Sequence, residues 1–119
     1  MAVPANCITE QQARQLHDNW VATREPVITQ MRNGTQDTRE FVFCVSELEE
    51  FLNYVKDESA KQGIDKPGVR IYFGAYNDMN STNATVFLSA TDSCDASSNN
   101  NYNVQPLNRG IGGWPPQNY

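Results

Sequence analysis

The sequence predicts an α+β fold in which an N-terminal helical pair precedes a small, mainly antiparallel sheet of about three strands with one amphipathic helix packed on it. Apolar residues recur at helical spacing in the first third and near residue 50, and strand-like runs surround the second of these stretches. A chain of 119 residues suits one core and is too short for two full ones. We therefore expect a single domain over 1–119, made of a helical pair (1–36), a strand–helix–hairpin core (38–91) and an irregular Asn-, Gly- and Pro-rich segment (92–119).

The helical pair is predicted from capping residues and apolar spacing. Thr9 suits an N-cap, and the first helix then carries one apolar stripe formed by Ala13, Leu16 and Trp20. Pro26 suits the first turn of a second, short helix, because a helix needs no N–H donor at that position. The side expected to be buried in this helix is formed by Val27, Ile28 and Met31. Asn33 and Gly34 tolerate the left-handed backbone that ends a helix.

The middle of the chain predicts a strand followed directly by the amphipathic helix. The run Glu40–Val45 is β-branched and aromatic, which is typical of a strand. Ser46 and Glu49 form an S-x-x-E capping box that would start a helix over 46–62. Its apolar residues share one face and are Leu48, Phe51, Leu52 and Val55. We expect Gln62–Gly63 to end this helix.

Two further runs predict an antiparallel hairpin with a long polar tip. In Gly68–Tyr76, strict alternation separates an apolar side from a side that carries Arg70, Tyr72 and Tyr76. The apolar side consists of Val69, Ile71, Phe73 and Ala75, and Val86, Leu88 and Ala90 of the run 84–91 extend it. We expect the hairpin to form one small sheet with the strand 40–45. The helix 46–62 should cover the apolar side of this sheet.

The composition changes after Thr91. Residues 92–103 are rich in Ser and Asn and contain almost no core-forming residues, which predicts a mobile loop. The last residues then place Leu107, Ile111 and Trp114 in a Gly/Pro framework. This pattern favours a segment that lies irregularly over the domain.

Charge and composition exclude several classes of protein. A formal net charge of −5 and a pI of about 4.7 disfavour binding to duplex nucleic acid. No stretch approaches the roughly 20 apolar residues of a membrane helix, and the first residues do not have the pattern of a secretory signal. The three cysteines, Cys7, Cys44 and Cys94, cannot all pair within one chain. We expect reduced thiols in a cytoplasmic protein, with Cys44 buried in a strand.

Catalytic and metal-binding patterns are scarce. There is no G-x-S-x-G or H-E-x-x-H motif, and His17 is the only histidine. A zinc site built from His17 and the three cysteines would lack the closely paired ligands that structural zinc sites use. The glycines of Gly110–Gly113 precede Trp-Pro-Pro, which cannot begin a phosphate-binding helix. We predict no metal, no cofactor and no catalytic residue, and we favour a non-enzymatic role.

One face of the hairpin remains as a candidate site. A guanidinium between tyrosines suits a carboxylate, a phosphate or an acidic side chain of a partner. Two other arginines could converge on it, and a C-terminal tryptophan could add to the surface. The candidate residues are Arg70, Tyr72, Tyr76, Arg24, Arg39 and Trp114. The alternative is that Arg70 forms a structural ion pair with an acidic residue of the first helices, and the sequence leaves both open.

Three segments carry a resemblance to other proteins. Gly68–Tyr76, Thr85–Thr91 and Pro106–Gly110 resemble a group of small bacterial proteins to which no function is assigned. The resemblance covers about the C-terminal half of the chain. It implies a bacterial, cytosolic origin and carries over no functional residue.

Two functional hypotheses follow from these patterns. The first is a small acidic binding or interaction module, such as an inhibitor or immunity-type protein whose charge speeds its encounter with a basic partner. The second is a small-molecule-binding protein or modest enzyme that acts on an anionic ligand through Arg24, Arg39 and Arg70. Neither the partner nor the oligomeric state is determined by the sequence.

Overall fold

A computed structural model describes residues 1–108, 110–113 and 117–119. It confirms the α+β class and the N-terminal helical pair, with a third helix and four strands in two small antiparallel sheets. The elements in chain order are α1 (Glu10–Thr23), α2 (Glu25–Met31), β1 (Phe41–Val42), α3 (Val45–Lys61), β2 (Gly68–Ala75), β3 (Ala84–Thr91) and β4 (Ile111–Gly112).

The chain forms two compact units. Residues 1–37 and 117–119 form one, which we call the helical unit, and Thr38–Gly113 form the other, which we call the sheet unit. The assignment of 1–119 to a single domain stays a prediction.

The helices of the helical unit begin and end near the residues that the sequence predicts. The Thr9 hydroxyl accepts a hydrogen bond from the Gln12 N–H (3.1 Å), and the Gln12 side-chain oxygen accepts one from the Thr9 N–H (2.9 Å). These two bonds form a capping box. A proline lies in the first turn of α2, and the chain leaves α2 through Asn33 (φ 57°) and Gly34 (φ 87°).

The apolar side chains of α1 and α2 are less covered than their spacing predicts. Neither helix contains a buried residue, and Leu16, Val27 and Met31 are exposed. The predicted burial of Val27 and Met31 is therefore wrong. Within this unit the two short helices form only one layer, and enclosing a side chain requires a second.

Helix α3 is the main helix of the sheet unit, and its start differs from the prediction in one respect. It begins at Val45, with Cys44 as an N-cap that makes no side-chain capping bond, so the predicted Ser46–Glu49 capping box does not form. Cys44 is exposed and not buried in a strand, because strand β1 ends at Val42. The end of α3 follows the prediction: Gly63 adopts φ 75°.

The predicted hairpin is confirmed. Strands β2 and β3 pair antiparallel over their full length, with Tyr72 opposite Phe87 and Ala75 opposite Ala84. The first strand, however, does not join them, because β1 pairs with β4 in a separate two-stranded sheet.

Residues 96–108, which we call the C-terminal segment, occupy the edge of β3 at which a third strand would lie. Leu88 and Leu107 exchange two backbone hydrogen bonds (2.9 and 3.0 Å). The Asn101 N–H donates to the Ala90 carbonyl (2.8 Å). Strand β3 therefore lies between β2 and an irregular segment.

The core of the sheet unit lies between α3 and β3. Its buried residues are Phe51, Val55, Leu88, Ala90 and Val104. Val69 packs against this core, but Ile71 and Phe73 of the same strand are 65% and 84% exposed. Their predicted burial is wrong, because a helix about 10 Å wide covers roughly two strand positions and α3 packs on β3 and the C-terminal segment.

Within the described part of the chain, no helix has both the length and the apolar character needed to cross a membrane.

Candidate functional site

The alternation of β2 places the candidate side chains as predicted, on the face opposite Ile71 and Phe73. We call Arg70, Tyr72 and Tyr76 the Arg70 face. Arg70 lies opposite Ser89 and Tyr72 lies opposite Phe87. Tyr76 follows the last residue of β2, and its backbone N–H donates to the Asn83 carbonyl (3.0 Å), which continues the hairpin ladder.

The Arg70 guanidinium binds the chain's own Asn-rich loop. Its Nη1 donates to Asn100 Oδ1 (2.6 Å), and its Nη2 donates to the carbonyls of Ala96 and Ser98 (both 2.9 Å). All three acceptors are neutral. Among the residues that the structure describes, no carboxylate forms an ion pair with Arg70. The guanidinium is thus satisfied by hydrogen bonds while its charge stays unneutralised.

Asn100 connects Arg70 to Tyr72. Its side-chain Nδ2 donates to the Tyr72 hydroxyl (2.7 Å) while its Oδ1 accepts from Arg70. The Tyr72 ring stacks on Phe87, with centroids 5.0 Å apart. The Asn100 hydrogen bond lowers the pKa of Tyr72, partial burial acts in the opposite direction, and the nearby Arg70 lowers this pKa further.

Tyr76 forms a second hydrogen-bonded contact with the C-terminal segment, at Asn108. Its hydroxyl donates to Asn108 Oδ1 (2.9 Å), and Asn108 Nδ2 donates to the Val86 carbonyl (2.9 Å) and Thr85 Oγ1 (3.2 Å). The Arg70 face is therefore fastened to residues 96–108 by two asparagines. Asn101 is buried, so this segment packs on the hairpin. Its composition predicts a mobile loop instead.

Two of the other candidate residues lie on other parts of the chain, Arg24 between α1 and α2 and Arg39 just before β1. Arg24 is exposed in the helical unit, where its Nη1 donates to Thr23 Oγ1 (3.0 Å). Arg39 is half-buried just before β1. Trp114 lies outside the described residues. The use of these three residues in binding stays a prediction.

A cleft of about 320 Å³ lies beside Arg70, and neither Arg24 nor Arg39 lines it. Its walls include Gly68, Cys94 and Asp95. A Cβ on Gly68 would come within 2.5 Å of Thr91 Oγ1, so the backbone can approach closely only with glycine there. The carboxylate of Asp95 makes the cleft less favourable for an anion.

The described residues contain no group of three His, Cys, Asp or Glu side chains that could hold a metal ion. The three cysteines are free and exposed.

The opposite face of β2 carries a feature that the sequence analysis did not predict. Ile71 and Phe73, which we call the β2 patch, are exposed on a strand whose one paired neighbour among the described residues is β3. A sequence signal existed: a hairpin has two edges, and the one helix that precedes it covers only about two strand positions of the predicted three-stranded sheet. The exposed patch and edge are therefore a second candidate site.

Comparison with protein-family models, with curated proteins and with solved structures finds no match for this chain.

Proposed function

We propose that this chain is a non-enzymatic interaction module that binds another polypeptide through β2, using the outer edge of the strand and the β2 patch. One observation carries the proposal: Phe73 is 84% exposed and Ile71 65% exposed on a full-length strand that has no neighbour on its outer side among the described residues. Exposed apolar residues that lie together on regular structure mark interaction surfaces.

The physical basis is strand addition. The outer edge of a strand offers backbone donors and acceptors that an incoming strand satisfies, and side-chain contacts on the sheet face supply apolar burial. Strand β2 combines both features. Its other face is occupied by the chain's own loop, so the Arg70 face supports β2 and the β2 patch remains for a partner.

The inhibitor or immunity-type role is a finer form of this proposal. The net charge of −5 favours encounter with a basic partner. Recognition by Arg70, Tyr72 and Tyr76 would require loop 96–100 to give up its hydrogen bonds, and this lowers the support for binding through that face.

The alternative of a small anionic ligand has a specific observation in its favour. The charge of Arg70 is not paired with a carboxylate among the described residues, and a cleft lies beside it. We place this alternative second, because Asp95 lines the same cleft and the Arg70 guanidinium already donates to Asn100. Thermal unfolding measured with nucleotides and small carboxylic acids tests it, and stabilisation that disappears in Arg70→Gln would support it.

The main proposal is tested by comparing capture of polypeptides by three tagged forms of the full chain. These are the wild type, Phe73→Asp, and Met79→Asp as the control, because Met79 is fully exposed in the hairpin connection, outside β2. We expect a polypeptide that binds the wild type and the control with equal affinity. Binding of the purified polypeptide should fall at least about tenfold with Phe73→Asp, since a buried carboxylate needs a partner group. Equal binding by all three forms, or no bound polypeptide, contradicts the proposal.

A further inference from the structure

We propose that the partner of β2 is the β2 strand of a second copy of this chain, paired antiparallel with Tyr72 opposite Tyr72 of the partner subunit. The two hairpins then form one four-stranded sheet in the order β3–β2–β2–β3. This inference rests on the proposed function, because it names the partner of the same edge and patch.

The hydrogen-bond phase of the hairpin shows which backbone groups are available. The Tyr76 N–H bonds to Asn83, and hydrogen-bonded pairs recur at every second residue of an antiparallel ladder. The even-numbered residues of β2 therefore direct their N–H and C=O groups toward β3. The outer edge of β3 shows the same alternation, because the backbone groups of Leu88 and Ala90 bond to Leu107 and Asn101 and not to β2.

The odd-numbered residues of β2 consequently direct their backbone groups outward. They are Val69, Ile71, Phe73 and Ala75. None of them forms a backbone hydrogen bond on that side with any described residue. The edge thus presents donors and acceptors along the length of the strand, in the arrangement that another strand satisfies.

This edge lacks the features that keep edge strands apart. Strand β2 contains no proline and only one charged residue, Arg70, whose guanidinium is held on the far face by loop 96–100. Protected edges commonly carry lysine, proline or an inward-pointing charge. An exposed phenylalanine and isoleucine on an unprotected edge instead favour pairing.

The strand is self-complementary in one register. With Tyr72 opposite itself, Val69 lies opposite Ala75 and Ile71 opposite Phe73, so every outward-directed residue of β2 finds a partner within β2. Arg70 then lies opposite Gly74. A shift that centres the pair on Arg70 would place two guanidinium-bearing residues opposite each other, and like charges at that position destabilise a strand pair.

The apolar sides of the two strands also match. In this register a twofold axis perpendicular to the sheet relates the copies, and each Phe73 contacts Ile71 of the partner subunit on the same face. The two β3 strands lie three strand spacings apart, about 14 Å. Two α3 helices of about 10 Å diameter fit over them, with the paired β2 patches between. An interface of this kind uses the same surface on both copies, as closed dimers do.

The interface is small. One strand pair and two apolar residues per copy bury an area at the lower end of stable interfaces, about 1,200 Å² or less. We therefore expect a reversible dimer with a dissociation constant in the micromolar range. Because each copy carries a charge of −5, dimerisation should strengthen when salt is raised, whereas binding of a basic partner should weaken.

Disulfide trapping of the full chain tests the register. In a background with Cys7, Cys44 and Cys94 changed to serine, Tyr72→Cys is compared with Ala75→Cys. Facing residues at a non-hydrogen-bonded position have Cα atoms about 4.5 Å apart, which suits a disulfide. The two Ala75 positions would be about 20 Å apart. We expect Tyr72→Cys to cross-link at least about tenfold faster under mild oxidation; equal rates, or faster cross-linking of Ile71→Cys, overturn this register.

Sedimentation equilibrium of the wild type, Phe73→Asp and Met79→Asp tests the dimer itself, with circular dichroism to confirm that each variant is folded. We expect the wild type and Met79→Asp to dimerise at about 100 µM, more strongly at high salt, and Phe73→Asp to stay monomeric. A wild type that is monomeric at this concentration overturns the second copy as partner. If the wild type is monomeric but Phe73→Asp abolishes binding of a different polypeptide, the proposed function stands without the dimer. If the wild type is monomeric and Phe73→Asp leaves such binding unchanged, the proposed function and the dimer are both wrong.

Discussion

Arg70 has the features of a recognition residue, yet its terminal nitrogens are used within its own fold. They bind Asn100 and the carbonyls of Ala96 and Ser98. A planar guanidinium satisfies several acceptors at once, which a lysine ammonium does less well in a fixed geometry. Asn100 links Arg70 to Tyr72, because its side-chain amide accepts a hydrogen bond from Arg70 and donates one to the Tyr72 hydroxyl.

This relay predicts an unusual tyrosine. Hydrogen bonding from Asn100, followed by the influence of Arg70, lowers the pKa of Tyr72 below the ordinary value of 10.0. An alkaline absorbance titration should therefore show one phenol ionising before the others, and Tyr72→Phe should remove that step. Asn100→Ala should raise the pKa of Tyr72, because it removes the donor that stabilises the phenolate.

The sign of the pH effect on stability follows from the same shift. Because the pKa of Tyr72 is lower in the folded chain than in the unfolded chain, its ionisation favours folding. This contribution is present above pH about 10 and is lost as the pH falls through the lowered folded value. A titration in which Tyr72→Phe leaves the first ionisation step unchanged would contradict the assignment.

At the scale of elements, α3 is held by its apolar face more than by its start. The helix has no side-chain cap at Cys44, but Phe51 and Val55 are buried against β3. Its end is well defined by Gly63, where the Gly63 N–H bonds to Ala60 (3.1 Å) and the Ile64 N–H bonds to Ser59 (2.9 Å). This pair of bonds is the Schellman motif.

Helix α3 also carries one unfavourable residue. Ser59 is completely buried, and its hydroxyl has no hydrogen-bond partner among the described residues. Ser59→Ala removes an unsatisfied polar group and places a better helix former there, so it should raise the free energy of unfolding by about 1–2 kcal/mol. Urea denaturation measures this change. The exposed Ser46→Ala is the control and should alter stability by less than about 0.5 kcal/mol; a loss of stability in Ser59→Ala would show that the hydroxyl is satisfied.

At the scale of the whole molecule, stabilising burial is concentrated in one unit. All residues of the apolar core cluster belong to the sheet unit, and neither α1 nor α2 contains a buried residue. Within itself, the helical unit has only local capping and the contact between α1 and α2, and such interactions seldom maintain short helices in water.

This distribution predicts different behaviour for the two units when they are separated. A fragment spanning 38–113 should unfold cooperatively in urea, because it contains the whole cluster formed by α3, β3 and the C-terminal segment. A fragment spanning 1–37 should show little helical circular dichroism. Cooperative unfolding of the shorter fragment, or a disordered longer one, would contradict this division.

The candidate site could be predicted only in part. The sequence placed Arg70, Tyr72 and Tyr76 on one face correctly, because strand alternation is a local property. It did not predict that Asn100 and Asn108 would cover that face, since a polar run has no periodicity that identifies its partner. It also assigned Ile71 and Phe73 to the core, because an apolar pattern identifies a face without showing what covers it.

The features that follow from sequence alone are local: the N-cap at Thr9, the turn at Asn33–Gly34, the end of α3 at Gly63 and the β2–β3 hairpin. These features depend on the backbone preferences of a few neighbouring residues. Three further features became known from the folded chain: the edge of β3 that the C-terminal segment occupies, the pairing of β1 with β4, and the exposure of Phe73. These outcomes depend on competition between distant segments for the same strand edge and the same helix face, and that competition leaves no signal at short spacing.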